Sequence, residues 1–196
     1  MRVKKSLGQN FLVDVALQKK IVEALDCSES DTVLEIGPGR GALTRHLVGR
    51  AGHLLLVELD DVLAEALRGE WGERPDVDVL HQDFRDLDWS VVSPDPTALL
   101  VVGNIPYNIT ASIIFKVLER PRPRDIILMV QREVADRLTA EPGTGEYGAL
   151  TVGVRSVASV ERVLRVPSTA FRPVPRVDSA VVRITPFRPP PLSADE

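Results

Sequence analysis

The chain has 196 residues, 44% of them hydrophobic, enough for one domain with a real core. Its single cysteine, Cys27, excludes an internal disulfide, and three scattered histidines (His46, His53, His81) form no metal cluster. The net charge of −4 hides a division: residues 1–119 carry 12 Lys/Arg against 19 Asp/Glu, and residues 120–196 carry 12 Arg against 9 acids.

The basic start Met1–Lys5 is too short for a targeting segment, and no apolar run nears the roughly 20 residues that span a bilayer. A cytoplasmic, reduced protein without membrane or metal is therefore expected. Residues 14–26 place Leu17, Ile21, Val22 and Leu25 at helical spacing behind Asp14 as N-cap. Thr32–Ile36 reads as a short apolar strand, Gly41–Arg50 as a helix and Leu54–Leu59 as a strand. Asp60–Arg68 is a predicted helix and Val77–His81 a strand. Ala98–Val102 and Ile126–Val130 complete five parallel strands, with a helix over Thr110–Leu118 between the last two. Strands apolar on both faces, alternating with helices, predict a parallel sheet covered on both sides. Two further helices are predicted over Arg132–Thr139 and Gly148–Ser159, separated by a loop at Glu141–Glu146. Val160–Val166 and Val177–Ile184 alternate like a hairpin pair joined by the Pro-rich segment 167–176, which would add one antiparallel strand. Val177–Val182 reads as core strand with a polar start and is given no chemistry. The tail Phe187–Glu196 reads as a mobile, polyproline-like exit.

Four strand ends carry groups suited to a ligand. Glu35-Ile-Gly-Pro-Gly-Arg-Gly41 follows the first strand and opens a helix, so Gly37 and Gly39 let backbone approach a ligand at the carboxyl edge of the sheet. A dinucleotide fingerprint is the alternative, but Pro38 intrudes on it. Glu58, 21 residues after Gly37, can hold both ribose hydroxyls of a nucleoside, or be a helix-start acid. Asp83 can accept from an adenine amine, or serve a turn. Asn104-Ile-Pro-Tyr107 suits a flat, amine-bearing ring: the Asn oxygen and a backbone carbonyl accept from an exocyclic NH2, and the Tyr ring stacks. Pro106 fixes its own φ and biases Ile105 toward extended backbone, which aims the carbonyls. A plain Pro-Tyr turn is the alternative. Stacking uses the ring face, so Tyr107→Phe is expected to be nearly neutral. The basic distal third can face RNA, since phosphate neutralisation needs a local patch; ordinary solvated arginine is the plainer reading.

Six ordered motifs carry a family resemblance. Leu7-Gly-Gln-Asn-Phe-Leu12, Glu35-Ile-Gly-Pro-Gly39, Glu58-Leu-Asp60, Gln82-Asp83, Asn104-Ile-Pro-Tyr107 and Phe171-Arg-Pro-Val-Pro-Arg-Val-Asp-Ser179 together resemble the ribosomal RNA adenine N6,N6-dimethyltransferases, over about residues 4–186. The resemblance implies a Rossmann-like class I fold: an α/β architecture with a mostly parallel seven-stranded sheet, one antiparallel strand and helices on both faces. It implies S-adenosyl-L-methionine as cofactor. It places cofactor contacts on Asn10, Leu12, Gly37, Gly39, Glu58, Asp83 and Asn104. It gives Asn104, Ile105, Pro106 and Tyr107 the target base, with Phe171 closing the opposite face. No metal is implied.

Leu128–Ala135, Pro142-Gly143, Tyr147–Leu150 and Val177–Arg183 resemble the housekeeping branch, which dimethylates two adjacent adenosines near the 3′ end of small-subunit rRNA. The expected partner is thus rRNA in the immature small subunit, and a monomer is expected. The macrolide-resistance branch, acting on large-subunit rRNA, stays open, as does a mainly RNA-binding assembly factor. DNA adenine and protein glutamine methyltransferases share an Asn/Asp-Pro-aromatic motif but lack the Gln9–Phe11 and Phe171 segments. Members usually continue into a small helical domain. Here a catalytic domain over 1–186 and a Pro-rich tail over 187–196 are expected, without that domain.

Overall fold

The computed structural model describes residues 9–188. Met1–Lys5, Leu7 and Gly8 of the first motif, and the tail from Pro189 onward lie outside the described residues.

The elements run β1 (Phe11–Leu12), α1 (Val15–Leu25), β2 (Thr32–Ile36), α2 (Thr44–Leu47), β3 (His53–Glu58), α3 (Asp61–Trp71) and β4 (Val77–His81). Then come α4 (Trp89–Val92), β5 (Leu100–Asn104), α5 (Thr110–Val117), β6 (Asp125–Gln131), α6 (Arg132–Leu138), α7 (Ala149–Arg155), β7 (Ala158–Val166), β8 (Phe171–Arg172) and β9 (Ser179–Pro186). Seven strands form one sheet in the order β4-β3-β2-β5-β6-β9-β7, and β9 alone runs against its neighbours. The five-strand parallel block and the single antiparallel strand are those the sequence predicts.

Strand residues alternate between two cores, one on each face. Leu34, Val57, Val101 and Leu128 pack with Ile113, Ile114 and Val117 of α5 and with Leu138 and Val154 of α6 and α7. Val33, Leu56, Val102 and Met129 pack with Ile21, Val22 and Leu25 of α1, Leu47 of α2 and Leu67 and Trp71 of α3. Burial on both faces is why these strands read as continuous apolar runs. Capping agrees with the sequence at two helix starts. Asp14 accepts the Leu17 N–H at 3.0 Å, and Asp60 accepts those of Val62 and Leu63.

Three predictions change. The helix over Gly41–Arg50 shrinks to the single turn α2, because Gly41 and Gly49 take positive φ at its two ends. The helix over Gly148–Ser159 stops at Arg155, and β7 starts already at Ala158. Within the tail, Phe187 and Arg188 are docked: Phe187 N–H donates to the Val157 carbonyl at 3.0 Å, and Arg188 reaches the carbonyls of Thr97, Arg122 and Pro123. Among the described residues no helix is long and apolar enough to cross a membrane.

Candidate functional site

From β2 the chain steps outward to β3 and β4, and from β5 it steps the other way, so the strand order reverses between β2 and β5. Open α/β sheets bind ligands at the carboxyl edge beside such a switch point. The register sets the groups side by side there: Ile36 opposite Gly103, Glu58 opposite His81, and Asn104 opposite Met129. A cavity of about 290 Å³ opens at this edge, at the lower limit of small-ligand pockets. Asn10, Leu12, Gly37, Gly39, Glu58, Asp83, Asn104, Ile105, Pro106 and Tyr107 all line it.

Glu58 is 6% exposed, and each carboxylate oxygen accepts one backbone N–H: Oε2 from Gly39 at 2.9 Å and Oε1 from Asp60 at 2.8 Å. A carboxylate has about four acceptor sites, so two donors leave capacity for a pair of ligand hydroxyls. Burial pushes its pKa above the ordinary carboxylate range, against the two N–H bonds that pull it down. The Gly-rich turn supplies room as well as a donor. Gly37 has φ +62, and a Cβ there would meet no protein atom within 4 Å.

Sequence reasoning gave Glu35 no role, yet it too lines the cavity. It is buried, and desolvation raises its pKa from 4.5 to about 8, with the Glu58 charge adding to the rise. The Thr44 hydroxyl donates to its Oε2 at 2.7 Å. The signal was present in the sequence as a charged residue inside the apolar strand Thr32–Ile36.

The amino-terminal segment straps across this edge. Gln9 donates to the Asp60 carboxylate at 3.1 Å, Arg40 lies 4.3 Å from the centre of the Phe11 ring, and β1 pairs with β8. Asn104 Nδ2 donates to the Asn10 carbonyl at 3.0 Å, which leaves Oδ1 as the acceptor of that side chain. Ile105 N–H donates to the Met129 carbonyl at 3.0 Å, tying the Asn-Ile-Pro-Tyr segment to β6. The Pro106 carbonyl accepts from Ile109 N–H and the Thr110 hydroxyl, both at 3.2 Å.

One site prediction needs correction, and two site residues have partners that the sequence does not show. Phe171 is fully buried: its ring packs in the core with Leu12, Met129 and Val181, and it does not line the cavity. The β1–β8 pair, in which Leu12 sits opposite Phe171, turns it inward. Asp83 lines the cavity, but Arg85 occupies both of its oxygens, with Nη2 at 2.6 Å, and holds its pKa below the usual carboxylate range. The Tyr107 hydroxyl is not idle either, since it lies 2.8 Å from Ser179 Oγ.

The profile of the family described as ribosomal RNA adenine dimethylase matches residues 1–196. Among curated proteins, the chain is 47% identical over 189 residues to the probable ribosomal RNA small subunit methyltransferase A of Methanopyrus kandleri, covering 95% of this chain and 65% of that one. It is 42% identical to ribosomal RNA small subunit methyltransferase A of Geobacillus thermodenitrificans, covering 98% and 68%. The chain thus spans about two thirds of these relatives' length. Among solved structures, a dimethyladenosine transferase from Plasmodium falciparum superposes with a TM-score of 0.79 at 30% identity, covering 90% of this chain and 63% of that one. The 23S rRNA methyltransferase ErmE superposes with a TM-score of 0.83 at 34% identity, covering 95% and 73%.

Proposed function

This chain belongs to the ribosomal RNA adenine dimethylase family, and from that premise we propose that it transfers methyl groups from S-adenosylmethionine to the N6 amine of adenosines in small-subunit rRNA. The observation that carries the reading is the convergence of Glu58 and Asn104–Tyr107 on one cavity at the switch point of the sheet. The small-subunit target is favoured because the curated relatives at 42–47% identity over nearly the whole chain are small-subunit methyltransferases. The partner is rRNA within the maturing small subunit.

The residues present fit the cofactor. Glu58 offers acceptor capacity for two ribose hydroxyls, and Gly37 leaves the backbone open to close approach, while Gly39 lies against the Phe11 ring, 3.3 Å from where its Cβ would stand. Asn10 and Leu12 wall the cavity from the amino-terminal strap, on the side of Asn104. Asp83 takes three N–H groups of Arg85 on about four acceptor sites, which leaves one for the adenine amine. When bound, S-adenosylmethionine supplies a methyl group activated by a sulfonium centre.

The chain's own task is alignment and dryness, because in-line displacement disperses charge and needs no strong base. The adenine amine is a poor nucleophile while its lone pair is delocalised into the ring. Asn104 Oδ1, aimed by the Asn10 carbonyl, accepts one N–H of that amine, and the Ile105 carbonyl accepts the other. Two acceptors at these positions favour a pyramidal nitrogen whose lone pair is free to attack. The Pro106 carbonyl is already engaged, which is why Ile105 is assigned the second bond. Tyr107 stacks on the base, a contact worth about 1–3 kcal/mol.

The test is labelling of immature small subunits from a strain lacking the modification, with the position of cofactor-derived methyl mapped. Wild-type protein is expected to label two adjacent adenosines near the 3′ end, and Asn104→Ala to lose at least a hundredfold in single-turnover rate while staying folded. Label on large-subunit rRNA alone would move the target, and normal turnover by Asn104→Ala would overturn the assignment.

A further inference from the structure

Ser179 is fully buried at the first position of β9, with its backbone paired to Gln131 at the end of β6 and to Val166 at the end of β7. The residue before it is anchored as firmly. The Asp178 carbonyl accepts the Arg132 N–H at 3.0 Å, and its carboxylate accepts the Ser168 N–H at 3.0 Å and a 2.6 Å contact from Arg165. The hydroxyl of Ser179 therefore stands on a frame of three strands, where a polar atom shielded from water needs a partner. Its partner is the Tyr107 hydroxyl at 2.8 Å.

Tyr107 is placed quite differently. It lies between β5 and α5, half-buried, with its ring against the cavity. At the backbone end it is tied down by Ile105 N–H on Met129 and by Thr110 on the Pro106 carbonyl. Its ring can still swing about two side-chain torsions unless the far end is held. A stacking platform loses value when it swings, because the base must then order the ring as well as itself.

We propose that Ser179 is a positioning residue: its hydroxyl, fixed by the β6–β9–β7 pairing, holds the far end of the Tyr107 ring at the cavity wall so that the ring is ready to stack on the target adenine. This rests on the reading of the cavity as an adenine N6-methylation site. It also reverses the expectation that the Tyr107 hydroxyl is dispensable.

The test compares Ser179→Ala, Tyr107→Phe and the double variant by two readouts. The first is averaging of the Tyr107 χ1 torsion, from Hα–Hβ couplings by NMR, in wild-type and Ser179→Ala protein without ligand, with Tyr147, the other tyrosine, as internal control. The second is single-turnover methylation of immature small subunits at saturating cofactor. Ser179→Ala is expected to increase χ1 averaging at Tyr107, leave Tyr147 unchanged, and slow transfer about three- to tenfold, the range of one ordinary hydrogen bond. Tyr107→Phe is expected to slow transfer equally, the double variant no further, and cofactor affinity to stay within about twofold in all three, a pattern that a merely structural role would not give. A wild-type rate and wild-type χ1 couplings in Ser179→Ala, or losses that multiply in the double variant, would overturn the proposal. Should Ser179→Ala not fold, Tyr107→Phe removes the same bond from the loop side, and an unchanged rate there is equally fatal. If wild-type protein labels no adenosine, the reading of the cavity fails instead, and the χ1 comparison still decides whether Ser179 holds Tyr107.

Discussion

Glu35 and Glu58 are buried acids on adjacent strands, and their different partners give them different roles. Glu58 keeps two backbone N–H bonds that favour its charged form, whereas Glu35 has the Thr44 hydroxyl and a like charge beside it. A folded-state pKa of about 8 for Glu35, against 4.5 ordinarily, means that the folded protein holds a proton that the unfolded chain has released between those values. Stability from this group is therefore highest below about pH 4.5, falls as pH rises and is fully lost above about pH 8. The raised pKa of Glu58 acts in the same direction. Glu35→Gln is expected to raise the melting temperature at pH 8 and to flatten, though not abolish, its decline from pH 5; a wild-type pH profile in the variant would refute the assignment. Glu58→Ala has a different readout. Loss of charge-assisted bonds to two hydroxyls, each worth about 1.5–3 kcal/mol, should weaken S-adenosylmethionine at least tenfold in calorimetry. Unchanged affinity would remove Glu58 from the cofactor site.

At the scale of elements, the Gly-rich turn between β2 and α2 is where local sequence and tertiary packing meet. Gly41 has φ +69, and a Cβ on it would lie 2.2 Å from the Trp71 ring at the end of α3. Gly41→Ala should thus cost about 1–2 kcal/mol for the left-handed backbone and about 1–3 kcal/mol for overpacking. Trp71→Leu in the Gly41→Ala background is expected to recover part of the second cost, measured by denaturant unfolding. A destabilisation that Trp71→Leu leaves untouched would mean that the collision is not its cause. The same turn shows what the sequence could tell. Periodicity through Leu43 and Leu47 announced a helix but not its length, since only the contact with Trp71 reveals how tightly the turn is wound. Thr32–Ile36 was legible to the residue because its strand is buried on both faces, and Val77–His81, the edge strand, because Val77, Val79 and Leu80 mark it despite exposed Asp78 and His81. Phe171 was misplaced because its exposure depends on β1 pairing with β8, a contact across about 160 residues that no local pattern encodes. The Ser179–Tyr107 pair was hidden for the same reason.

Across the whole molecule, the positive balance of the distal third resolves into two kinds of arginine. Arg137, Arg155, Arg162, Arg165 and Arg183 each face a carboxylate: Glu133, Glu141, Asp136, Asp178 and Asp125 respectively. These pairs tie down five of the twelve arginines of residues 120–196, and because their acids already count in the 12-against-9 balance, the positive excess stays with the other arginines. Arg172 and Arg176 are different: both stand exposed, Arg172 at the end of β8 and Arg176 on the segment that links β8 to β9. That segment starts from the β1–β8 pair, whose Phe11 and Leu12 line the cavity, so a phosphate held there would lie close to a base in the site. Affinity for a small-subunit rRNA fragment is accordingly expected to fall steeply between about 50 and 200 mM salt. Arg172→Gln and Arg176→Gln should each reduce the log–log salt slope by about one unit, the effect of losing one phosphate contact, and lower affinity for all sequences alike. Arg137→Gln, on α6 and paired with Glu133, is the control and should leave the slope unchanged. Equal slopes for all three variants would mean that the exposed arginines are ordinary surface residues, and that the grip on rRNA lies elsewhere on the protein.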